Sequence, residues 1–527
     1  MLSLTMRKRW RNFVFLTCAV AVSPIAGARG NWEGEVVYHI FARSYRDGNG
    51  DGKGDFKGIA QGLSTIQKLG CTAIMINPVA KSRVYHNYFA DDMMATDPAY
   101  GTLADFRMMV RAAHRRHIKV ILDMEPQYVA DKQLWFAAYT KDPNSRFAKC
   151  LWLSGSPAWG SGKNWYDGRV VRVATVNMAN PDVKAYVTKV FRFWANQGID
   201  GFRIDHMMDD LDNKHVMTGL LKNFWAPVEN AVRREHPQMF FIGEQSDWGS
   251  NSYVRDIFSK TPTDAVFAFP LWQAIRSFDK GKIVAAMSTM HDLVSPGHTE
   301  FTFLENHDTE RFASEEPDLR KQKLAAALLF TLKGTPSIYY GQELGMKGIQ
   351  GHWGNDGNDI PIRLGYRWGA TLADRRTPNW YAGTGPWAKP VFSKDHDGIS
   401  LAEEEEATNS MLKFYRRLVH MRLSRPELRV GSQTAFDTGN PHVLAFSRII
   451  GSTWLQVLAN LSDAEVTVPV SAYSVARDDW TGRIFGRTVH LPPYGFVLLP
   501  FHAYSVDKPQ YRVRGKPRWR ANGARAR

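Results

Sequence analysis

A parallel (β/α)8 TIM barrel with a short insertion after strand 3, followed by an antiparallel β-sandwich domain, is the fold class this sequence predicts. Three observations carry the prediction. Short apolar, β-rich runs alternate with helix-like stretches eight times over about 400 residues. A gap of about 75 residues between Met124 and Gly201 is too long for one helix and its loops, so it holds an excursion. Beyond residue 430 the pattern changes to short strands separated by turn residues.

The elements follow in order. VVYHIF (36–41) precedes the helix-like GIAQGLSTIQKLG. AIMIN (73–77) precedes TLADFRMMVRAAHRRH, in which Thr102 and Asp105 stand in capping positions. KVILDM (119–124) leads into the insertion 129–180, rich in Trp, Gly, Ser and Asn, and then into the helix-like PDVKAYVTKVFRFWANQG. GFRID (201–205), FFIGE (240–244), AVFAF (265–269), FTFLENH (301–307) and SIYYGQE (337–343) complete the set. A doubly wound sheet also suits alternating strands and helices, but eight units favour closure into a barrel. The barrel is assigned to 29–425 and the β domain to 430–503.

The two ends read differently. RKRWR at 7–11, the apolar FVFLTCAVAV and Ala26-Gly27-Ala28 make a secretory signal over residues 1–28, which predicts export to the periplasm or medium. Its apolar run is too short to span a bilayer. The tail 504–527 carries eight basic residues and one Asp, lacks apolar periodicity and reads as disordered. Removing the four charges of the leader and the seven of the tail from the net +15 leaves +4 for the body. Nucleic acid is therefore not the expected partner. Cys71 and Cys150 have no spacing that indicates a disulfide and are read as two buried thiols.

Strand ends at the C-terminal face of such a barrel converge on one site. Asp123, Arg203, Asp205, Glu244 and Asn306-His307-Asp308 occupy those ends. In GFRID, period-2 alternation puts Arg203 and Asp205 on one face and Phe202 and Ile204 on the other. A guanidinium beside a carboxylate keeps it ionised, lowering its pKa by about 1 to 3. A structural Arg–Asp pair would look the same, and the rest of the chain decides between them. Three carboxylates from strands 4, 5 and 7 repel one another, which raises the pKa of some. Glycoside cleavage needs that arrangement, with one carboxylate ionised and another protonated.

With these residues in view, the chain resembles the α-amylase family of glycoside hydrolases (glycoside hydrolase family 13) over nearly all of its mature length. GFRID is similar to the family's strand-4 motif, FIGE to its strand-5 motif and FLENHD to its strand-7 motif. YHNYFADDMMATDPAYGT resembles the segment after strand 2 that lines the glucose subsite. The resemblance implies a retaining hydrolase of α-glucosidic bonds in malto-oligosaccharides or related α-glucans. Asp205 would be the nucleophile, Glu244 the acid and then the base, and Asp308 the stabiliser of the distorted sugar. It also implies that Arg203 orients Asp205, His307 binds sugar hydroxyls, Tyr88 stacks on the sugar and Asp92 supports it. Transglycosylases and isomerases share this fold, and catalytically silent carbohydrate-binding relatives tend to lose the carboxylates kept here.

Several positions depart from the family pattern. Its strand-3 motif runs Asp, three residues, Asn, His; here Asp123 is followed by Gln127 and Tyr128 in those places. Tyr128 offers a hydroxyl where the His would bind the sugar. Loss of the Asn, with Thr175 at a position usually acidic, puts the family's usual calcium site in doubt. His206 replaces a small or apolar residue, and Met208 a frequent Lys.

A different loop offers calcium ligands. DGNGDGKGD places Asp47, Asn49, Asp51 and Asp55 at positions 1, 3, 5 and 9 of an EF-hand-like turn, with the Lys53 carbonyl at 7. Gly58 stands where the bidentate Glu would be. Hard oxygen donors favour calcium over a transition metal, here in a structural role.

Overall fold

The computed structural model describes residues 32–152, 163–164, 170–209, 218–245, 252–389, 391–469 and 476–502. The predicted leader and basic tail lie outside the described residues. Eight parallel strands close into a barrel: β1 (Val37–Ile40), β2 (Ala73–Ile76), β3 (Lys119–Met124), β4 (Gly201–Ile204), β5 (Phe240–Gly243), β6 (Ala265–Phe267), β7 (Thr299–Phe303) and β8 (Thr335–Tyr339). Each pairs with its sequence neighbours, and β1 pairs with β8 through Val37 opposite Ser337.

Alternation sorts each strand between two cores. Val37, Ala73, Met75, Ile121, Phe240, Ile242, Phe267 and Phe301 pack inside the barrel, where Trp32 stacks on Phe240 at 4.3 Å. Tyr38, Ile74, Phe202, Ile204 and Phe241 point outward into the apolar layer shared with the helices. Each large buried apolar side chain contributes about 1.5–3 kcal/mol. The helices begin where side chains cap them. Helix α1 (Phe56–Leu69) starts at Asp55, which accepts from the Gly58 N–H at 2.6 Å, and ends at Gly70 with φ +96°. Helix α2 (Leu103–His114) carries the Thr102–Asp105 capping box that the sequence predicts. Helix α3 (Pro181–Ala195) starts at Asn180 with Pro181 in its first turn.

The excursion between β3 and α3 is a small antiparallel sheet, in which Tyr128–Ala130 and Leu151–Trp152 both pair with Val171–Val176. Much of its Trp- and Gly-rich portion falls outside the described residues. Cys71 and Cys150 are both buried and free.

After helix α4 (Met411–Ser424) comes an antiparallel sheet of β9 (Ser432–Ala435), β10 (Val443–Ile450), β11 (Thr453–Asn460) and β12 (Phe496–His502). One face joins the barrel's outer apolar layer through Phe446, Leu455, Val457 and Leu498. The other, through Val443, Ala445, Leu458 and Leu499, packs on Val468, Phe485, Val489 and Leu491 of two-stranded ribbons. Arg448 ties the sheet to the barrel by donating to the carbonyls of Thr331 and Gly431. No helix among the described residues is long and apolar enough to cross a membrane.

Candidate active site

The register of β3, β4 and β5 builds the centre of the site. Arg203 lies opposite Asp123 on one side and Ile242 on the other, and its guanidinium rises into the barrel mouth. Its Nη1 bonds both oxygens of Asp123 at 2.9 Å and also Oδ1 of Asp205; its Nη2 reaches Oε1 of Glu244 at 3.2 Å. All four side chains are buried. One cation thus serves three carboxyl groups in a low-dielectric pocket, and not all three ionise easily.

The outcome differs by residue. Burial would raise Asp205, but the charges of Arg203 and His206 and a hydrogen bond from Glu125 hold it well below the usual carboxylate range. Burial raises Glu244; Arg203 opposes this and the Asp205 charge adds to it. Asp123 is also pushed up, by burial against the pull of Arg203. Burial would raise Asp308 as well, yet His307 and then Arg363 hold it far below the ordinary value. The strand ends therefore carry ionised Asp205 and Asp308 beside a Glu244 that keeps its proton more readily.

Tyr88 and His307 join the same cluster. The Tyr88 hydroxyl lies 2.7 Å from Asp123 Oδ2 and 2.6 Å from His307 Nε2, and it accepts from Asn77 Nδ2 at 2.8 Å. The Tyr88 and His307 rings are nearly parallel and laterally offset, centroids 5.4 Å apart and planes 10° apart. His307 Nε2 also meets Asp308 Oδ2 at 2.9 Å, which assigns the proton to that nitrogen. Burial lowers the His307 pKa despite Asp308, so the ring is neutral near pH 7.

Asp92 is not brought to this cluster. It opens the short strand Asp92–Thr96, is exposed, and accepts from the Met94 N–H at 2.9 Å. The preceding Asp91 is engaged elsewhere, in an ion pair with Arg83 at 2.8 Å. Tyr128 is nearly fully buried against Phe89, and its ring meets the His206 ring edge-on at 6.2 Å.

Arg363, Asn77 and Glu125 were not singled out from the sequence, and Gln127 was noted there only as a departure from the family pattern. Arg363, from the long segment after β8, bonds Asp308 Oδ1 at 2.9 Å and the His307 carbonyl at 2.7 Å. Asn77, just past β2, bridges Tyr88 and His39, the latter at 3.1 Å. Gln127, which stands in the place of the family's Asn, donates from Nε2 to the carbonyls of Asp205 at 2.7 Å and His206 at 3.0 Å. It clamps the turn that carries Asp205. Glu125, two residues past Asp123, is buried with its carboxyl within 4.8 Å of that of Asp205. The one available signal for Glu125 was its place two residues past Asp123, on the same face of the strand exit.

His206 has φ +46°, a conformation that costs a residue with a Cβ on the order of 1 kcal/mol. The turn aims its backbone N–H at Glu244 Oε2, 3.1 Å away, and its Nδ1 at Asp205 Oδ2, 3.0 Å away. Burial would lower its pKa, but Asp205 and Glu125 raise it well above the usual histidine value.

In the loop 47–55, Asp47 accepts from the N–H groups of Asn49, Gly50 and Gly52 at 3.0, 2.6 and 2.7 Å. Asn49 accepts from Asp51 N–H and Asp51 from Lys53 N–H, each at 2.9 Å. The side chains of Asp47, Asn49 and Asp51 and the Lys53 carbonyl are hard oxygen donors on one tight turn, a set that fits calcium. Asp55 is diverted to the N-cap of α1, and both of its oxygens accept backbone N–H groups, from Gly58 and Gly48. Asp55 differs from the other four only in also capping α1, since Asp47 too accepts backbone N–H groups on both oxygens.

A profile of the α-amylase catalytic domain matches residues 39–431. The chain is 28% identical over 482 residues to alpha-amylase 3 of Dictyoglomus thermophilum, covering 87% of this chain and 91% of that one. It is 29% identical over 405 residues to a 4-alpha-glucanotransferase of Thermotoga neapolitana, covering 71% and 84%. The crystal structure of an alpha-amylase from H. orenii superposes with a TM-score of 0.73 at 26% identity, covering 89% of this chain and 99% of that one.

Proposed function

Because the chain belongs to the α-amylase family, we propose that it is a retaining hydrolase of α-glucosidic bonds in malto-oligosaccharides or related α-glucans. The observation that carries this reading is the shared grip of Arg203. Its two terminal nitrogens hold Asp205 and Glu244 side by side. Two carboxyls spanned by one guanidinium suit the short separation, about 5 Å, of double displacement.

In the first step an oxygen of Asp205 bonds the anomeric carbon as the bond to the leaving oxygen breaks, and Glu244 gives its proton to that oxygen. In the second, Glu244 takes a proton from water, the water oxygen bonds the anomeric carbon, and Asp205 departs as a carboxylate. Asp308, kept ionised by His307 and Arg363, faces the positive charge that develops on the sugar. Asp123, Tyr88, His307 and Tyr128 would supply hydroxyl contacts to the sugar. Asp47, Asn49, Asp51 and the Lys53 carbonyl would hold a calcium ion that pins the loop 47–55, and Asp55 anchors the loop to α1. The leader sequence supports export.

Transfer of the glucosyl group to a sugar acceptor is the second reading, favoured by the likeness to a glucanotransferase. Incubation with maltose, maltotriose, isomaltose, trehalose, sucrose and starch, with Asp205→Asn as control, tests both. Shorter products that vanish in the variant support hydrolysis, and longer or rearranged products support transfer. No product from any α-glucoside by folded, calcium-supplied protein would overturn both.

A further inference from the structure

Glu125 has no place in the mechanism above, yet it is buried beside the group that does the chemistry. Its Oε1 accepts the Gln127 N–H, its Oε2 lies 3.5 Å from His206 Nδ1, and its carboxyl lies within 4.8 Å of that of Asp205. The ligand atoms of Glu125, Asp205 and His206 all lie within 4.8 Å of one another. Two carboxyl groups this close in a buried space repel, which favours a proton on one of them.

We propose that Glu125 is a positioning residue of the reaction, which donates its proton in a hydrogen bond to Asp205 and, with His206, sets how readily that carboxylate leaves the sugar. This rests on the reading of Asp205 as nucleophile.

The physical argument concerns the two steps. A donor on a carboxylate stabilises its charged form, so it slows attack and speeds departure. Asp205 has Arg203 on Oδ1, with His206 on Oδ2 and Glu125 beside it. Charge on Asp205 is lost when the glycosyl ester forms and returns when the ester is cleaved. The Glu125 and His206 donors are thus strongest when Asp205 is free, and they favour release. Burial, then the Asp205 charge and its hydrogen bond, push the Glu125 carboxyl well above its ordinary range, which keeps the proton in place. The charged and titratable groups around this pair are Arg203 on β4, His206 on the turn, Asp123 on β3, Glu244 past β5 and Tyr88.

The test uses Glu125→Gln, which keeps an N–H donor without a titrating proton, and Glu125→Leu, which removes the donor. Steady-state and rapid-mixing kinetics are followed on p-nitrophenyl α-glucoside from pH 5 to 9. Glu125→Leu is expected to lower kcat by roughly 10- to 100-fold, with a burst of p-nitrophenol as the glycosyl-enzyme accumulates. Glu125→Gln is expected to restore kcat near neutral pH and to move the alkaline limb of the kcat profile upward. Folded variants that show no burst and a wild-type pH profile would overturn the proposal. Equal losses in both variants, with the pH limb unmoved, would overturn it too and leave Glu125 a packing residue. Failure of the wild-type protein to turn over this glucoside would instead strike the underlying reading of Asp205.

Discussion

Arg203 stands directly opposite Asp123 in the register of β3 and β4, and its Nη1 meets both oxygens of that carboxylate at 2.9 Å. The pair turns a backbone alignment into a fixed guanidinium, from which Asp205 and Glu244 take their places.

Replacement of Arg203 tests that dependence. Lysine presents one point charge and cannot span Asp123, Asp205 and Glu244 together. Arg203→Lys is expected to cost about 10²-fold or more in kcat/KM with modest loss of stability. Arg203→Met leaves the buried Asp123 without its counter-charge and is expected to cost about 3–5 kcal/mol in urea denaturation.

Gln127 should matter through the backbone. Gln127→Leu leaves the carbonyls of Asp205 and His206 unpaired in a buried turn, at about 1–3 kcal/mol. If the clamp positions the nucleophile, kcat falls while KM stays within a few-fold. An unchanged kcat in a destabilised variant would limit Gln127 to folding.

Glu343 provides a pH test away from the site. Burial pushes its carboxyl up to about 7, although Tyr38 and Tyr366 donate to it. The folded state therefore binds a proton that the unfolded state releases near 4.5, and stability is highest below that pH. It falls as pH rises toward 7 by an amount on the order of 3 kcal/mol. Glu343→Gln keeps an acceptor for both tyrosines and removes this slope. Urea midpoints at pH 5 and pH 8 should converge in the variant and differ in the parent.

Calcium should act on stability. Saturating calcium at about 100 times its dissociation constant adds about 2.7 kcal/mol, read as a rise in Tm that chelation reverses. Asp51→Ala should lose that rise while its Tm in chelator stays near the parent's, since Asp51 is exposed. A Tm indifferent to calcium in the parent would remove the site.

What the sequence disclosed follows the range of the forces involved. The strands were legible because alternation and apolar runs are local, and Asp123, Arg203, Asp205, Glu244 and Asp308 because strand ends converge on one face. Arg363 was not, because it returns to Asp308 from an irregular segment that no periodicity describes. Glu125 and Gln127 lie in a legible stretch, but their partners are set by a strand exit that turns toward β4. Asp92 shows the opposite error: a residue next to a site motif bonds its own turn and stays exposed.

The pairing of Val37 with Ser337 has a consequence for synthesis. Three hundred residues must leave the ribosome before the first strand's open edge finds its mate. Until then that edge and the apolar barrel interior stand available to any other chain. Loop closure of this length is slow, and folding dominated by such distant pairings is slow with it. Until β8 emerges, the nascent chain therefore carries an unpaired strand edge that is open to mispairing.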